Sequence, residues 1–496
     1  MIAANLPALQ VVIPLIGAPL CMLLGRGRIA WALSAAATWA GFAVAIALLV
    51  AVIEHGPISY TMGGWAPPWG IEYRVDYLSA FVLLIVSGIA AVVMPYAYHS
   101  VNSEIPESRQ RLFYTAYLLT FAGLLGMAIT GDAFNAFVFM EISSLSSYVL
   151  ISLGRSRRAL YAAFQYLVLG TIGATFFVIG VGLLYMVTGT LNMADMAERL
   201  AAQADSRVTL AAFGFLVVGL SLKLALFPLH LWLPNAYTYA PSMISALLAA
   251  TGTKVMVYLL LRFMFTIYGG GLHLGVAPVY HVLMVLGLLA AVTGSLVAIF
   301  QDNIKRMLAY SSIAQLGYMA LGISFASGTG ITAATVHLFN HALMKGALFM
   351  VMGSVMLRCG GTTIAHLRGL GRRMPLTMAA FVIAGLSMIG VPGTVGFVSK
   401  WYLVQAALGS GFWPGVPVAV VVLAASLLAV IYIWRVVEAA YFADPDGGAG
   451  AIEEATWPMV AATWILAGGC VVFGLTTDLT VGVASRVATL LLTGAP

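Results

Sequence analysis

Long apolar stretches follow one another along this chain, joined by short polar connections. A helix needs about 20 predominantly apolar residues to cross the hydrocarbon core of a bilayer. Runs of that kind predict about fourteen spans, near 6–24, 31–53, 76–98, 111–129, 132–153, 161–187, 208–228, 241–266, 276–300, 307–326, 331–357, 376–402, 413–436 and 457–476. A shorter apolar tail, 480–493, follows. The first run is preceded by no basic segment and followed by no clean small-residue cleavage site, so it reads as a span rather than a removed signal.

Composition sharpens this picture. Of 496 residues, 62% are hydrophobic and only 8% are charged, whereas a soluble domain carries roughly 25% charged residues. A water-soluble fold of this size would need a charged surface that the chain does not have. The expectation is an all-α polytopic membrane protein from which no soluble domain can be cut. Cys21, Cys359 and Cys470 are scattered without metal-ligand spacing and read as small packing residues. The net charge of +6 is a topological feature rather than a nucleic-acid signal.

The connections alternate in charge. One set carries Arg26 and Arg28, Arg109 and Arg111, Arg155, Arg157 and Arg158, Lys305 and Arg306, then Arg358, Arg368, Arg372 and Arg373. The other carries Glu54, then Glu72 with Arg74, then Asp132, then Asp195, Glu198 and Asp205 with Arg199 and Arg207. The positive-inside rule puts the first set in the cytoplasm, so both termini are expected outside. The acidic connection after Arg435, with Asp444, Asp446, Glu453 and Glu454, departs in sign, but acids contribute little to that rule.

Most arginines fall in or beside the connections; the lysines do not. Of the five, only Lys305 reads as a loop residue, while Lys223, Lys254, Lys345 and Lys400 fall inside predicted spans. Glu141 is the one acid well inside a span, in FNAFVFMEISSLSSYVL. A charge at mid-bilayer is unfavourable by about 2.5–3.5 kcal/mol on insertion scales, so a buried polar track is the better reading than five isolated charges. Lysine suits such a track. Burial lowers the pKa of an amine and a nearby carboxylate raises it again, whereas arginine stays charged. In TVHLFNHALMKGALF, His337, His341 and Lys345 follow i, i+4, i+8 and form one polar stripe on an apolar helix. Histidine titrates near neutrality and can relay protons. A zinc site on the histidine pair is disfavoured, because no HExxH pattern or cysteine accompanies it.

Two of the lysine-bearing spans contain prolines. In LSLKLALFPLHLWLPNAY, Pro228 follows Lys223; in MIGVPGTVGFVSKWYLV, Pro392 precedes Lys400. Proline kinks or breaks a helix and frees a backbone carbonyl. In a bilayer that is tolerated only where protein or a watery cavity satisfies the backbone. Two broken helices five spans apart suggest two five-helix units of opposite orientation, the inverted-repeat logic of transporters. The chain then divides into 1–110 (helices 1–3), 111–266 (first repeat), 276–436 (second, inverted repeat) and 457–496 (last helix and tail). His230 and Trp232 follow the first break: His230 is a candidate proton-entry residue, with packing and bonding to freed backbone the plainer alternative for both. Asp302 reads as a loop cap or an ion-pair partner of Lys305 or Arg306.

The stretch FPLHLWLPNAYTYAPSMISALLAATGTKVMVYLLLRF, 227–263, resembles the proton-translocating antiporter-like family: the large subunits of Mrp-type multisubunit cation/proton antiporters and their relatives in respiratory complex I and membrane-bound hydrogenases. FVFMEISSLSSYVLI, QDNIKRMLAYSSIAQLGYM, HLFNHALMKGALF and GVPGTVGFVSKWYLV continue the resemblance over nearly the whole chain. Among the branches it looks most like the D-type large subunit of the Mrp antiporters. The resemblance implies fourteen core helices, two inverted five-helix repeats and broken helices seven and twelve. It puts Glu141 at the family's helix-five glutamate, Lys223 at its partner on helix seven and Lys254 at the helix-eight lysine. It also puts His337, His341 and Lys345 at the helix-eleven positions, and Lys400 at the terminal lysine or glutamate of helix twelve. The chain ends soon after helix fourteen, which argues against the largest complex I subunit with its long lateral helix.

These readings give a non-enzymatic proton-conducting subunit, expected in a bacterial plasma membrane among other membrane subunits, exchanging H+ for a monovalent cation such as Na+. The alternative is a pump module of a redox enzyme of complex I or hydrogenase type. No cofactor, metal or nucleic acid is implied, since the chain has no cysteine cluster and no large soluble loop.

Overall fold

The computed structural model describes residues 5–202, 206–269, 277–411, 415–444 and 452–494. Two acids assigned above to connections, Asp205 and Asp446, lie outside them. The described residues form α1 (Leu6–Leu24), α2 (Arg28–His55), a hairpin of β1 (Ile58–Thr61) and β2 (Glu72–Val75), α3 (Tyr77–Glu104), α4 (Glu107–Ile129), α5 (Ala133–Ser152), α6 (Arg157–Thr188), α7 (Met193–Ala201), α8 (Arg207–Leu224), α9 (Trp232–Tyr239), α10 (Ser242–Ala250) and α11 (Gly252–Leu261). Then come α12 (Ala277–Ile299), α13 (Ile304–Ser324), α14 (Gly328–Cys359), α15 (Leu370–Arg373), α16 (Pro375–Ile389), α17 (Val395–Gly409), α18 (Gly415–Tyr441), α19 (Trp457–Leu475) and α20 (Asp478–Thr493).

The protein is an all-α polytopic membrane protein. Twelve described helices are long and apolar enough to cross a membrane, or up to thirteen if the pair Ile364–Arg373 and Pro375–Ile389, bent by 114°, counts as one span. That is fewer than the fourteen expected, and the two shortfalls have local causes. The run 307–326 is helical, as α13, but Lys305, Arg306, Gln315 and several serines dilute its hydropathy. The run 376–402 is two helices, α16 and α17, each of 15 residues and too short alone.

One element was not foreseen. β1 and β2 pair antiparallel, Ile58 opposite Val75 and Thr61 opposite Glu72, in what the sequence offered as a loop. Buried Glu72 fixes the hairpin: its carboxylate accepts from Ser59 Oγ at 2.6 Å and Asn192 Nδ2 at 2.8 Å. The adjacent span starts are set by side-chain caps. Asp76 accepts from Ser79 N at 3.0 Å, and Asp132 from Asn135 N at 2.7 Å; each satisfies an amide that the helix leaves without a partner.

The helices sort by exposure. α3, α4, α14 and the continuous span Ser242–Ile267 are mostly buried within the protein, whereas α1, α2, α6, α12, α18 and α19 bury a minority of their length. The second group carries apolar side chains outward, as lipid contact demands. Where polar groups matter, backbones come close. A Cβ on Gly219 of α8 would sit 2.7 Å from the Gly173 carbonyl oxygen of α6, and one on Gly173 would press against Lys223 Cγ at 3.2 Å. Small residues at membrane helix crossings permit such approach, and here they seat the lysine-bearing end of α8.

Two assignments change. Lys305 is no loop residue: it lies in the first turn of α13, 2% exposed, with Nζ 3.1 Å from Ser242 Oγ, 3.3 Å from Ala240 O and 3.4 Å from Ser245 Oγ. The chain fold brings the start of α10 over it, which no local pattern announces. Asp302 pairs with neither Lys305 nor Arg306; its carboxylate lies 3.4 Å from Arg435 Nη2.

Candidate functional site

Both proline-bearing spans are interrupted. α8 stops at Leu224, one residue past Lys223, and Ala225 turns left-handed at φ 61°. α16 stops at Ile389, and Gly390 turns at φ 96°. The two ends share a bond pattern: Leu226 N donates to Ser221 O at 2.9 Å, and Val391 N donates to Leu386 O at 3.1 Å, each closing the helix end with a reach back over five residues. A left-handed residue with such a bond is a common way to end a helix. Trp232, beyond the first break, donates from Nε1 to Leu222 O at 2.9 Å and stacks on Tyr166 with ring centroids 3.8 Å apart. It therefore packs and satisfies freed backbone.

The first break brings Lys223 to Glu141. Lys223 Nζ lies 3.3 Å from Glu141 Oε1 and donates to Ser144 Oγ at 2.7 Å. The lysine side chain is 1% exposed and the glutamate 23%, so the carboxylate sits at the edge of the protein and the amine within it. Beside them is a cavity of about 20 Å³, lined by Ser143, Ser144, Lys223, Tyr237, Gly252 and Thr253 among others. That is room for about one water among several polar partners. It spans from Lys223 to the neighbour of Lys254.

Lys254 is fully buried. Its amine donates to the carbonyl of Ala249 and lies 3.4 Å from Thr253 Oγ1, next to the distortion at Thr251 (φ −125°, ψ −53°) that separates α10 from α11. Lys254 lies just past α10, which packs along α14, the helix of His337, His341 and Lys345. These three form the expected stripe on α14, and all are buried. The imidazoles of His337 and His341 lie parallel, centroids 5.9 Å apart. Neither nitrogen of His341 has a hydrogen-bond partner among the described residues, a rarity for buried polar atoms. Lys345 donates to Leu308 O at 2.8 Å and to Ser311 Oγ, both on α13.

The second break holds Lys400. Its amine donates to Met388 O at 3.0 Å and Ile389 O at 2.8 Å, the last carbonyls of α16, where the helix dipole favours a cation. It also lies 5.2 Å over the Tyr318 ring. Tyr318 meets His337 edge-on at 6.0 Å, and His337 Nδ1 lies 2.8 Å from the hydroxyl of Ser399, next to Lys400 in sequence. The stripe on α14 and the lysine on α17 are therefore in contact through Tyr318 and Ser399.

The expected site residues thus fall into two contact groups, Glu141–Lys223 and His337–His341–Lys345–Lys400, with Lys254 between them. His230 joins neither. It is half-buried between α8 and α9, stacked on Phe227 at 5.3 Å and edge-on to Tyr310 at 6.4 Å. Sequence reading missed Ser144, Ser399 and Tyr318 as bridging groups. The first two stand in the polar runs around Glu141 and Lys400, which was a usable signal; nothing local marks Tyr318. It also missed that one arginine is buried within a span: Arg262, 6% exposed, follows directly on α11.

Comparison with known proteins decides the family. Residues 130–428 match the family described as NADH:quinone oxidoreductase/Mrp antiporter, TM. The chain belongs to this family. It is an antiporter-like, complex-I-like proton-translocating membrane subunit and not itself a catalytic chain. It is 44% identical over 455 residues to NADH-quinone oxidoreductase subunit N of Desulforudis audaxviator, covering 90% of this chain and 89% of that one. It is 33% identical over 449 residues to the putative antiporter subunit mnhD2 of Staphylococcus epidermidis, covering 90% and 87%. A chain in the structure of the membrane-bound sulfane sulfur reductase, an archaeal respiratory membrane complex, superposes with a TM-score of 0.89 at 31% identity, covering 98% of both chains. With bacterial relatives of this kind and this many spans, the protein is a multi-pass inner-membrane protein, and the relatives named here are subunits of larger assemblies.

Proposed function

We propose that this chain is the proton-conducting subunit of a multisubunit monovalent cation (Na+)/proton antiporter in a bacterial plasma membrane, with both termini extracytoplasmic. The proton moves along a line near mid-membrane. Glu141 and Lys223 form a pair whose separation decides whether the amine keeps its proton; Lys254 passes the proton inward along the bundle; His337, His341 and Lys345 relay it to Lys400 near the exit. His230 serves as an entry group from the side of the first break. The observation that carries this reading is the 3.3 Å Glu141–Lys223 pair beside a water-sized polar cavity that ends at Thr253. Such a pair is expensive in a bilayer and gives no net folding advantage over apolar packing, so a role in ion movement explains its presence.

Residues 111–266 and 276–436 are read as two inverted five-helix repeats. The matched helix ends at Leu224 and Ile389 support this; the lysines themselves do not match in chain order, since Lys223 precedes its break and Lys400 follows its own. Two breaks five spans apart put an odd number of helices in each unit, which turns the second copy over in the membrane.

A second reading has its own support. The 44% identity to an NADH-quinone oxidoreductase subunit favours a pump module driven by electron transfer in another chain. Co-purification separates the two: membrane subunits alone fit the antiporter, while soluble iron–sulfur subunits fit the redox pump. The proton track itself is tested by Glu141→Gln in the assembled complex. Loss of proton transport with normal assembly is expected, and full transport removes Glu141 from the mechanism.

A further inference from the structure

Arg262 has no place in the relay above. It stands at the start of the π-helical turn Arg262–Ile267 that ends the Lys254 span; such turns are frequent at functional sites. Its Nη2 is paired with the Asp76 carboxylate and donates to Ser79 Oγ at 2.9 Å. Its Nε donates to Tyr258 Oη at 3.2 Å, and its Nη1 to Thr266 Oγ1 at 3.4 Å. Tyr258 Oη in turn donates to Ala128 O at 3.0 Å and lies 3.3 Å from Ser79 Oγ. Lys254, Tyr258 and Arg262 are spaced i, i+4, i+8, a second polar stripe beside the one on α14.

This stripe ends in a cavity of about 340 Å³. Arg74, Asp76, Thr130, Tyr258, Arg262 and Thr266 line it, and the end of α20, Leu490–Gly494, forms another wall. All these segments lie at the membrane face that the arginine distribution assigns to the outside. A buried ion pair brings no clear stability gain over apolar packing, and a polar cavity of this size holds several waters.

We propose that this cavity is the extracytoplasmic mouth of the proton track, and that Tyr258 passes the proton between Lys254 and the water above the Asp76–Arg262 pair. The proposal rests on the proton-conducting reading of the chain. In this structure the Lys254 amine is turned toward Ala249, away from the mouth. Its four-carbon stem is flexible, and Tyr258 stands one helical turn away, about 5.4 Å along the axis. Swung toward the mouth, the neutral amine takes a proton from Tyr258 Oη as a hydronium ion in the cavity returns one to the hydroxyl; the phenol ends unchanged and the amine charged. Turned back, the ammonium passes that proton inward to the His337–His341–Lys345 stripe. The two rotamers would join the outside and the buried line in turn. Asp76 and Arg262 hold Tyr258 and set the charge at the floor of the mouth.

The test is Tyr258→Phe in the whole complex, which removes one oxygen and keeps the ring. Proton transport is expected to fall by about tenfold or more with assembly unchanged; undiminished transport overturns the proposal. A second arm decides the matter if that variant does not assemble. Thr266→Cys is placed in a chain whose Cys21, Cys359 and Cys470 are replaced by alanine, and intact cells are treated with a membrane-impermeant, positively charged thiosulfonate. Modification from outside that blocks transport is expected. A thiol that does not react, or reacts without effect on transport, overturns the proposal. If Glu141→Gln is inactive while Tyr258→Phe is fully active, only the mouth is lost; if Glu141→Gln is fully active, the reading beneath it is lost instead.

Discussion

The two breaks hold their lysines in different ways. Lys223 has a carboxylate at 3.3 Å and a serine hydroxyl at 2.7 Å. Lys400 has no acid among its described partners and rests on two backbone carbonyls and a tyrosine face. A carboxylate on a neighbouring helix can move away and leave the amine; carbonyls that belong to the adjoining half of the same broken span move only with that half. The first site is therefore built to switch and the second to receive. The difference also explains why the partners of Lys400 are so close in sequence, at Met388 and Ile389, while Glu141 comes from another helix altogether.

The comparison breaks first at Glu141. Glu141→Gln keeps shape and hydrogen bonding but removes the charge, and transport by the complex is expected to fall by about a hundredfold or more, measured as proton flux in everted vesicles with subunit assembly checked in parallel. Lys223→Arg is expected to be as inactive despite keeping its charge, because a guanidinium does not release its proton; normal flux in that variant would show that Lys223 serves only as a fixed cation. At the second break, Lys400→Met leaves the Met388 and Ile389 carbonyls without their donor. Flux should be lost and stability lowered by about 1–3 kcal/mol, read as a lower thermal midpoint of the detergent-solubilised complex. An unchanged midpoint would mean that the carbonyls find other partners.

Smaller effects sharpen the contact between the second lysine and the α14 stripe. Ser399→Ala removes the hydroxyl 2.8 Å from His337 Nδ1. A loss of about 1 kcal/mol, or roughly fivefold in flux, is expected; no change would place the histidine's working partner elsewhere. Tyr318→Phe keeps the ring under Lys400 and gives up only a 3.5 Å contact to Ser426, so flux should stay within about twofold. A large loss would show that the hydroxyl, and not the ring, connects the two sites.

Much of the membrane architecture was legible in the chain. Among the described residues each of the fourteen apolar runs falls mostly on helix, because the hydrophobic thickness of a bilayer sets a length that sequence displays directly. The breaks were legible through Pro228 and Pro392, since proline acts on its own backbone. The stripe of His337, His341 and Lys345 was legible because helical period is local. Lys305 was misplaced, and Arg262 passed over, for the opposite reason. Lys305 stands among charged residues and looks like a loop, yet the start of α10 folds over it. Arg262 stands near the end of an apolar run, and only the fold shows that Asp76 and Ser79, at the start of α3, enclose it.

The sequence by itself determined which segments enter the membrane, where two of them break, and that amines and imidazoles are carried inside. Those follow from transfer energies and backbone sterics, which act residue by residue. Only the tertiary structure decided who meets whom: that Glu141 faces Lys223, that Ser399 and Tyr318 tie the α14 stripe to Lys400, and that a polar cavity reaches Arg262. Partners across helices depend on crossing angles and close approach at positions such as Gly219 and Gly173, and packing of that kind is a property of the assembled bundle that no single segment encodes.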